Sequence, residues 1–367
     1  MRLDRAQRIM TREEINGILL FNPFNIRYLT GYKPAGILGH SAAVLIMDAE
    51  PVLIVPQGES EFAQAESWFR HVNSYNSQTG INGSSAILNS IQKAFDQHNL
   101  RSVDVGVELD YVSARRFEEI KRLLPDAGFK NISSSITELR MIKDDVEIEK
   151  LRTAFQIAEN GLRAAIEFVR PGISEIEVAA EVERTLRKAG ATHTGYPTVI
   201  ASGPRARCPF VPANRREIGA NEFVVISVSA VNDDYCSNLT RTVLTGKPET
   251  KHKTIFDCAR DSLNTAKTSL NPETLVRDIA LSIRRIADDR GFLQELDPQM
   301  GSGVGLQPIE PPNISVTEEM PLTPGMVFTI EVGVNSPEVG CVRLGDTIVC
   351  QKEGEFTVLN QIPLETV

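Results

Sequence analysis

Apolar residues at Ile148, Leu151, Phe155, Ala158 and Leu162 recur in steps of 3, 4, 3 and 4. That spacing predicts one long amphipathic helix over 144–169. Asp144 and Glu147 have the spacing of a capping pair at its start, and Pro171-Gly172 stops it. A second helix is expected over 174–189. So long a helix in mid-chain separates an N-terminal part from a C-terminal one, and we place the domain boundary near residue 138, giving domains 1–137 and 138–367.

The first part alternates helix and strand signals. Residues 42–47 and 52–56 are short apolar runs split by Asp48-Ala49-Glu50-Pro51, a turn composition, and read as a hairpin. Residues 59–69, 85–98 and 112–123 read as helices and 103–107 as a strand. From 197 onward, long strands carry Gly and Pro punctuation. Residues 223–230 and 235–245 are expected to form an antiparallel pair across Asn232-Asp233-Asp234. Helices are expected at 253–269 and 273–290, and strands at 326–334 and 341–351 close the chain. The fold class is therefore α/β (α+β) in two domains.

Composition removes several functions. Basic residues number 39 against 48 acidic, the net charge is −9 and the isoelectric point is near 5.3. A nucleic-acid binder shows a basic face instead. No stretch approaches the roughly 18 apolar residues of a membrane span. The N-terminus lacks a signal-peptide core, so the expected location is cytoplasmic. The five cysteines (208, 236, 258, 341 and 350) have no metal-ligand spacing and read as reduced thiols. Histidines occur only at 40, 71, 98, 193 and 252.

FNPFNIRYLTGY (21–32), ELRMIKDDVEIEKLRTAFQIAENGL (138–162), ASGPRARCPF (201–210), VVISVSAVNDDYCSNLTRTVLTG (224–246), GSGVGLQPIEPP (301–312), PGMVFTIEVGV (324–334) and GCVRLGDTIV (340–349) occur in this order. Together they resemble the pita-bread family of Xaa-Pro dipeptidases, aminopeptidase P and creatinase, the M24 metallopeptidases. The resemblance spans nearly the whole chain. It implies a creatinase-like N-terminal domain, a C-terminal pita-bread domain and a homodimer through the N-terminal domain.

Peptidases of that family hold two divalent metals with Asp, Asp, His, Glu and Glu. The resemblance places these ligands at Ser227, Asn238, Ser302, Glu331 and Gly345, with steps of 11, 64, 29 and 14 residues. Four of the five positions carry no metal-binding group of the required kind. Ser and Asn bring no negative charge, Ser302 supplies no imidazole and Gly345 has no side chain. One carboxylate does not hold two dications. Asp346 and Glu310 neighbour family positions, but adjacent strand residues point to opposite faces. The substrate-facing His of the family is replaced by Phe210, and the His of its His-Glu-x-Pro motif by Ile309.

Glu331 and Arg343 remain. A buried carboxylate needs a cationic partner, and Arg343 is the candidate if their strands are neighbours. The pair then either plugs a vacated metal site or works: Arg343 on an anionic ligand, Glu331 as general base or cation anchor. Cys208, Phe210, Ser227, Asn238, Ser302, Ile309 and Glu310 are the expected substrate-binding residues. No imidazole is placed to activate Cys208, Ser227 or Ser302 as a nucleophile. Tyr235, Thr240 and Arg241 read as hairpin packing. Gly301, Gly303 and Gly305 allow tight backbone beside a cleft, without the strand-to-helix context of a nucleotide loop.

No cofactor is expected, and the expected partner is a small molecule. Three functions stay open. The first is a metal-independent small-molecule cleft, extending to a creatinase-like C–N bond hydrolase acting on an amino-acid-like or nitrogenous compound. The second is a non-catalytic binding or regulatory protein. The third is an Xaa-Pro dipeptidase with an unconventional site.

Overall fold

The computed structural model describes residues 2–36, 40–76, 83–98 and 103–364. The chain forms two compact units, Met1–Arg140 and Met141–Val367. No helix among the described residues is long and apolar enough to cross a membrane.

The first unit runs α1 (Arg2–Arg12), β1 (Gly17–Leu20), α2 (Pro23–Thr30), β2 (Ala42–Ile46), β3 (Val52–Pro56), α3 (Ser60–Glu66), β4 (His71–Tyr75), α4 (Gly83–Gln97), β5 (Asp104–Val107), α5 (Ala114–Leu123), β6 (Gly128–Asn131) and α6 (Ser133–Met141). Its six strands form one sheet in the order β4-β3-β2-β1-β5-β6. The expected hairpin is present, with Ala42 opposite Ile54 and Val44 opposite Val52. Asp48 turns it in the left-handed region at φ 57°, which Asp tolerates. Leu19, Val44, Ile54, Ile91, Phe95 and Val105 pack between sheet and helices.

The second unit opens with α7 (Asp145–Phe168) and α8 (Glu175–Lys188). Asp144 and Glu147 close a reciprocal capping box on α7, and Ser174 and Glu177 do so on α8. Then come β7 (His193–Thr194), β8 (Val199–Ser202), β9 (Phe223–Val228), β10 (Ala230–Asn232), β11 (Tyr235–Cys236), β12 (Leu239–Leu244), α9 (Thr250–Thr268), α10 (Val276–Asp289), β13 (Gly301–Gly303), β14 (Glu310–Asn313), β15 (Val327–Ser336), β16 (Gly340–Cys350) and β17 (Phe356–Val358). Eight strands form the large sheet, in the order β14-β13-β15-β16-β12-β9-β8 with β17 beside β16.

The pair expected over 223–230 and 235–245 forms in one antiparallel register, from Phe223–Leu244 through Val228–Leu239 to Asn232–Tyr235, and β10 also pairs β7. Two serines mark its middle. The Ser229 hydroxyl donates to the Ser237 carbonyl, and the Ser237 hydroxyl accepts from the Ala230 amide at 2.8 Å. Side chains have taken over one ladder hydrogen bond, while the Ser237 amide still donates to the Ala230 carbonyl at 2.9 Å, so the pairing continues. Asp233 and Asp234, both at positive φ, close the tip as a two-residue turn.

β15 and β16 pair without a break from Val327–Val349 to Ser336–Gly340. The strand period of two sorts their side chains. Phe328, Ile330, Val332, Val342 and Leu344 pack with Ile255, Leu263, Ile279 and Ile283 of α9 and α10. Glu331, Arg343 and Gly345 fall on the opposite face.

Candidate functional site

That opposite face forms the floor of a cleft of about 190 Å3. Its walls include Phe210, Asn238, Asp297, Pro298, Ser302, Ile309, Glu331 and Arg343. The fold therefore brings together six of the residues expected from sequence.

Glu331 and Arg343 are partners, as burial requires: Arg343 Nη1 donates to Glu331 Oε1 at 3.1 Å. Both side chains are nearly buried. The other carboxylate oxygen, Oε2, accepts from Thr240 Oγ1 at 2.9 Å, and Ser227 Oγ lies 2.9 Å from Thr240 Oγ1. Thr240 thus belongs to the site and not only to hairpin packing.

The second partner of Arg343 is Asp297, which accepts from Nη2. Asp297 also accepts from Asn335 Nδ2 at 2.7 Å. It sits in the loop between α10 and β13, where no periodicity points to it. The usable signal was Gly333, an unexplained glycine inside a long strand. A Cβ on Gly333 would lie 2.0 Å from Asp297 Oδ2 and 3.2 Å from Arg343 Cζ. The missing side chain is what admits the ion pair.

The charges respond to this arrangement. Burial pulls the Arg343 guanidinium down, but the Glu331 and Asp297 carboxylates outweigh it and hold Arg343 above its ordinary value. Burial pushes the Asp297 carboxyl up, with the Glu331 charge adding to it against Arg343. Tyr196 donates to Asn238 Oδ1 at 3.0 Å. Burial, and then the charge of Glu331, hold its phenol well above its ordinary value. Its ring meets Phe210 edge to face at 5.7 Å. Phe210 is 42% exposed and takes φ 58°, a strained conformation for a bulky residue.

Four expected site residues lie outside the cleft wall. Cys208 follows a 3-10 turn and is exposed, its Sγ nearest the Pro209 carbonyl at 3.8 Å. Ser227 is shielded behind Thr240. Glu310 points to Lys143 Nζ at 2.7 Å, with both side chains 1% exposed. Gly345 contributes only backbone. Arg343 likewise does not present a spare positive charge to an anion, since carboxylates meet both its terminal nitrogens. Asp346, as alternation requires, leaves by the other face to Arg241 and Lys267.

The glycines beside the cleft do what their spacing implies. A Cβ on Gly301, at φ 123°, would lie 1.9 Å from the Thr329 carbonyl oxygen, and one on Gly305 would lie 2.3 Å from Glu310 Oε1.

Among the described residues no group of three or more His, Cys, Asp or Glu side chains converges as a metal site. At the positions that the resemblance gives to metal ligands, the donors are Asn238, Ser302 and Glu331, with a guanidinium beside Glu331.

Residues 149–352 match the model of metallopeptidase family M24, and residues 2–142 that of the creatinase/prolidase N-terminal domain. The Xaa-Pro dipeptidase of Pyrococcus furiosus is 30% identical over 358 residues, 96% of each chain. The crystal structure of the prolidase from Pyrococcus horikoshii OT3 superposes with TM-score 0.89 at 29% identity, over 100% of this chain and 99% of that one. The Xaa-Pro dipeptidase from Bacillus anthracis gives 0.90 at 27% identity, over 100% and 98%.

Proposed function

Because the chain belongs to metallopeptidase family M24, we propose that it is a homologue of the Xaa-Pro dipeptidases that has lost four of the five ligands of the dinuclear metal site. Its cleft binds a small molecule without metal. The observation that carries this reading is that Glu331 is the one carboxylate among Ser227, Asn238, Ser302, Glu331 and Gly345, the positions that the resemblance gives to the ligands.

The chemistry of the remaining donors supports it. The two oxygens of Glu331 already accept from Arg343 and Thr240. Asn238 and Ser302 offer neutral oxygen only, which suits a dinuclear site of hard or borderline cations poorly. The residues present therefore do not fit the family's metal pair.

Binding is favoured over creatinase-like C–N bond hydrolysis. Such hydrolysis needs a group free to move a proton. Glu331 is held on both oxygens, and no imidazole lines the cleft among the described residues. The homodimer expected from the family belongs to the same proposal.

A second reading, an Xaa-Pro dipeptidase with an unconventional site, draws on the 30% identity to the Pyrococcus furiosus enzyme. One experiment separates the two. Native mass spectrometry of the protein as purified reports bound metal, retained small molecules and oligomeric state. It is paired with an Xaa-Pro dipeptide hydrolysis assay supplemented with Mn2+ or Co2+. We expect a metal-free chain and no hydrolysis. Two divalent ions per chain together with turnover would return the protein to the metallopeptidases.

A further inference from the structure

Charge at the cleft is out of balance. Asp297 and Glu331 bring two negative charges, and Arg343, the only cation lining the cleft among the described residues, brings one positive. Arg343 spends its two terminal nitrogens on those carboxylates. One negative charge is left over, with no protein counter-charge in the cleft.

Two polar groups in the same wall have no protein partner among the described residues. Asn238 is 4% exposed and Ser302 2% exposed. The Asn238 amide oxygen accepts from Tyr196, while its Nδ2 has no acceptor among the described residues. The Ser302 hydroxyl has no partner among them either. Both residues line the cleft, so each group is placed to meet a ligand there.

Resting on the proposed metal-free cleft, we infer that it binds a small organic monocation: a primary ammonium carrying one neutral hydrogen-bonding oxygen on a short apolar body. The ammonium answers the spare charge of Asp297 and Glu331 and donates to Ser302 Oγ. Asn238 Nδ2 donates to the neutral oxygen. Phe210 and Ile309 cover the apolar body, and the exposed Phe210 ring adds an electron-rich face for the cation.

The same features set the selectivity. A carboxylate on the ligand would find Arg343 already paired with two carboxylates, which repel it, so zwitterions and anions are rejected. The cleft volume of about 190 Å3 equals the share of about six water molecules. It lies below the usual range for drug-sized ligands.

The test is isothermal titration calorimetry of the full chain, after its metal content has been read by native mass spectrometry. The probes are ethanolamine, glycine and glycolate: cation, zwitterion and anion on nearly the same frame. Ethanolamine is expected to saturate one site, about tenfold or more tighter than the other two, and Asp297→Asn to weaken it by about tenfold or more. Ser302→Ala, a smaller change to the fold, is expected to weaken it by a few-fold.

Three results would each overturn the inference: no ethanolamine binding to a metal-free chain, glycine or glycolate binding as tightly, or ethanolamine affinity unchanged in the folded variants. If Asp297→Asn does not fold, Ser302→Ala and the three-probe comparison still decide. Two bound divalent ions with dipeptide turnover would overturn the metal-free premise instead, so the two failures are distinguishable.

Discussion

Gly345 sits directly opposite Glu331 in the β15–β16 pairing, and a Cβ built on it would lie 3.4 Å from Glu331 Oε2. That is ordinary contact, without strain. Gly345→Ala is therefore expected to change stability by less than about 1 kcal/mol. Gly345→Glu brings a second carboxylate against Glu331 with no added cation and is expected to destabilise clearly more. Urea unfolding of the two variants checks the ordering. Equal losses would show that volume and not charge limits this position.

Removing Arg343 isolates two nearly buried carboxylates. Arg343→Met is expected to cost about 3–5 kcal/mol, the usual effect of breaking a buried ion pair from one side. Combining it with Glu331→Gln and Asp297→Asn should recover much of that loss, because no uncompensated charge remains. Chemical denaturation of the single and triple variants measures both. A triple variant no better than the single would mean that packing of the guanidinium stem dominates.

Gly333→Ala places a methyl group where Asp297 meets Arg343. Asp297 must withdraw, and the loss is expected at about 1–3 kcal/mol. In Asp297→Asn, where the charge pair is already gone, the same substitution should cost less. A thermodynamic cycle over the two positions reads this coupling. Additive losses would separate Gly333 from the ion pair.

Thiol reactivity should be confined to one site. Cys208 is exposed, whereas Cys236, Cys258, Cys341 and Cys350 are buried. Burial pushes Cys258 up to about 11 and Cys341 up to about 12. The thiolate is the reactive form. Alkylation of the folded protein with iodoacetamide near pH 8, read by peptide mass mapping, is expected to modify Cys208 alone. Early labelling of Cys341 would contradict its burial on the β15–β16 hairpin.

On the far side of that hairpin, Asp346 accepts from Arg241 Nη2 at 2.7 Å, Lys267 Nζ at 2.6 Å and Asn360 Nδ2 at 2.9 Å. Burial alone would raise its carboxyl, but Arg241 and Lys267 outweigh that and hold it below its ordinary value. A lowered carboxylate stabilises fully above its unfolded value, about pH 4. The contribution fades as pH falls through the lower folded value. The melting-temperature gap between the native chain and Asp346→Asn should thus be constant near neutrality and narrow below about pH 4. A gap independent of pH would assign the effect to hydrogen-bond geometry instead.

The elements most legible in the sequence were those fixed by local chemistry. The α7 helix carried its own period and cap. The β2–β3 hairpin carried its turn. The Glu331–Arg343 contact came from the need of a buried carboxylate for a cation. Asp297 was not legible, because a loop residue acquires its partner only through tertiary placement. The ribbon over 223–245 was legible too, because its turn residues Asp233 and Asp234 sit midway between two apolar runs in one register. The side-chain bonds of Ser229 and Ser237 to backbone were not, because both serines have ordinary strand spacing. Cys208 and Glu310 neighbour motif positions and Ser227 occupies one, and the direction of each side chain removes them from the cleft wall.

The guanidinium of Arg343 is bound to the cleft through its own backbone, so its occupancy there has no dissociation constant. It is neither diluted nor competed away, and its charge is present from the moment the β15–β16 hairpin forms. A chelator should therefore leave the melting temperature of this protein unchanged, and the supply of divalent ions should not set how much of it is competent to bind.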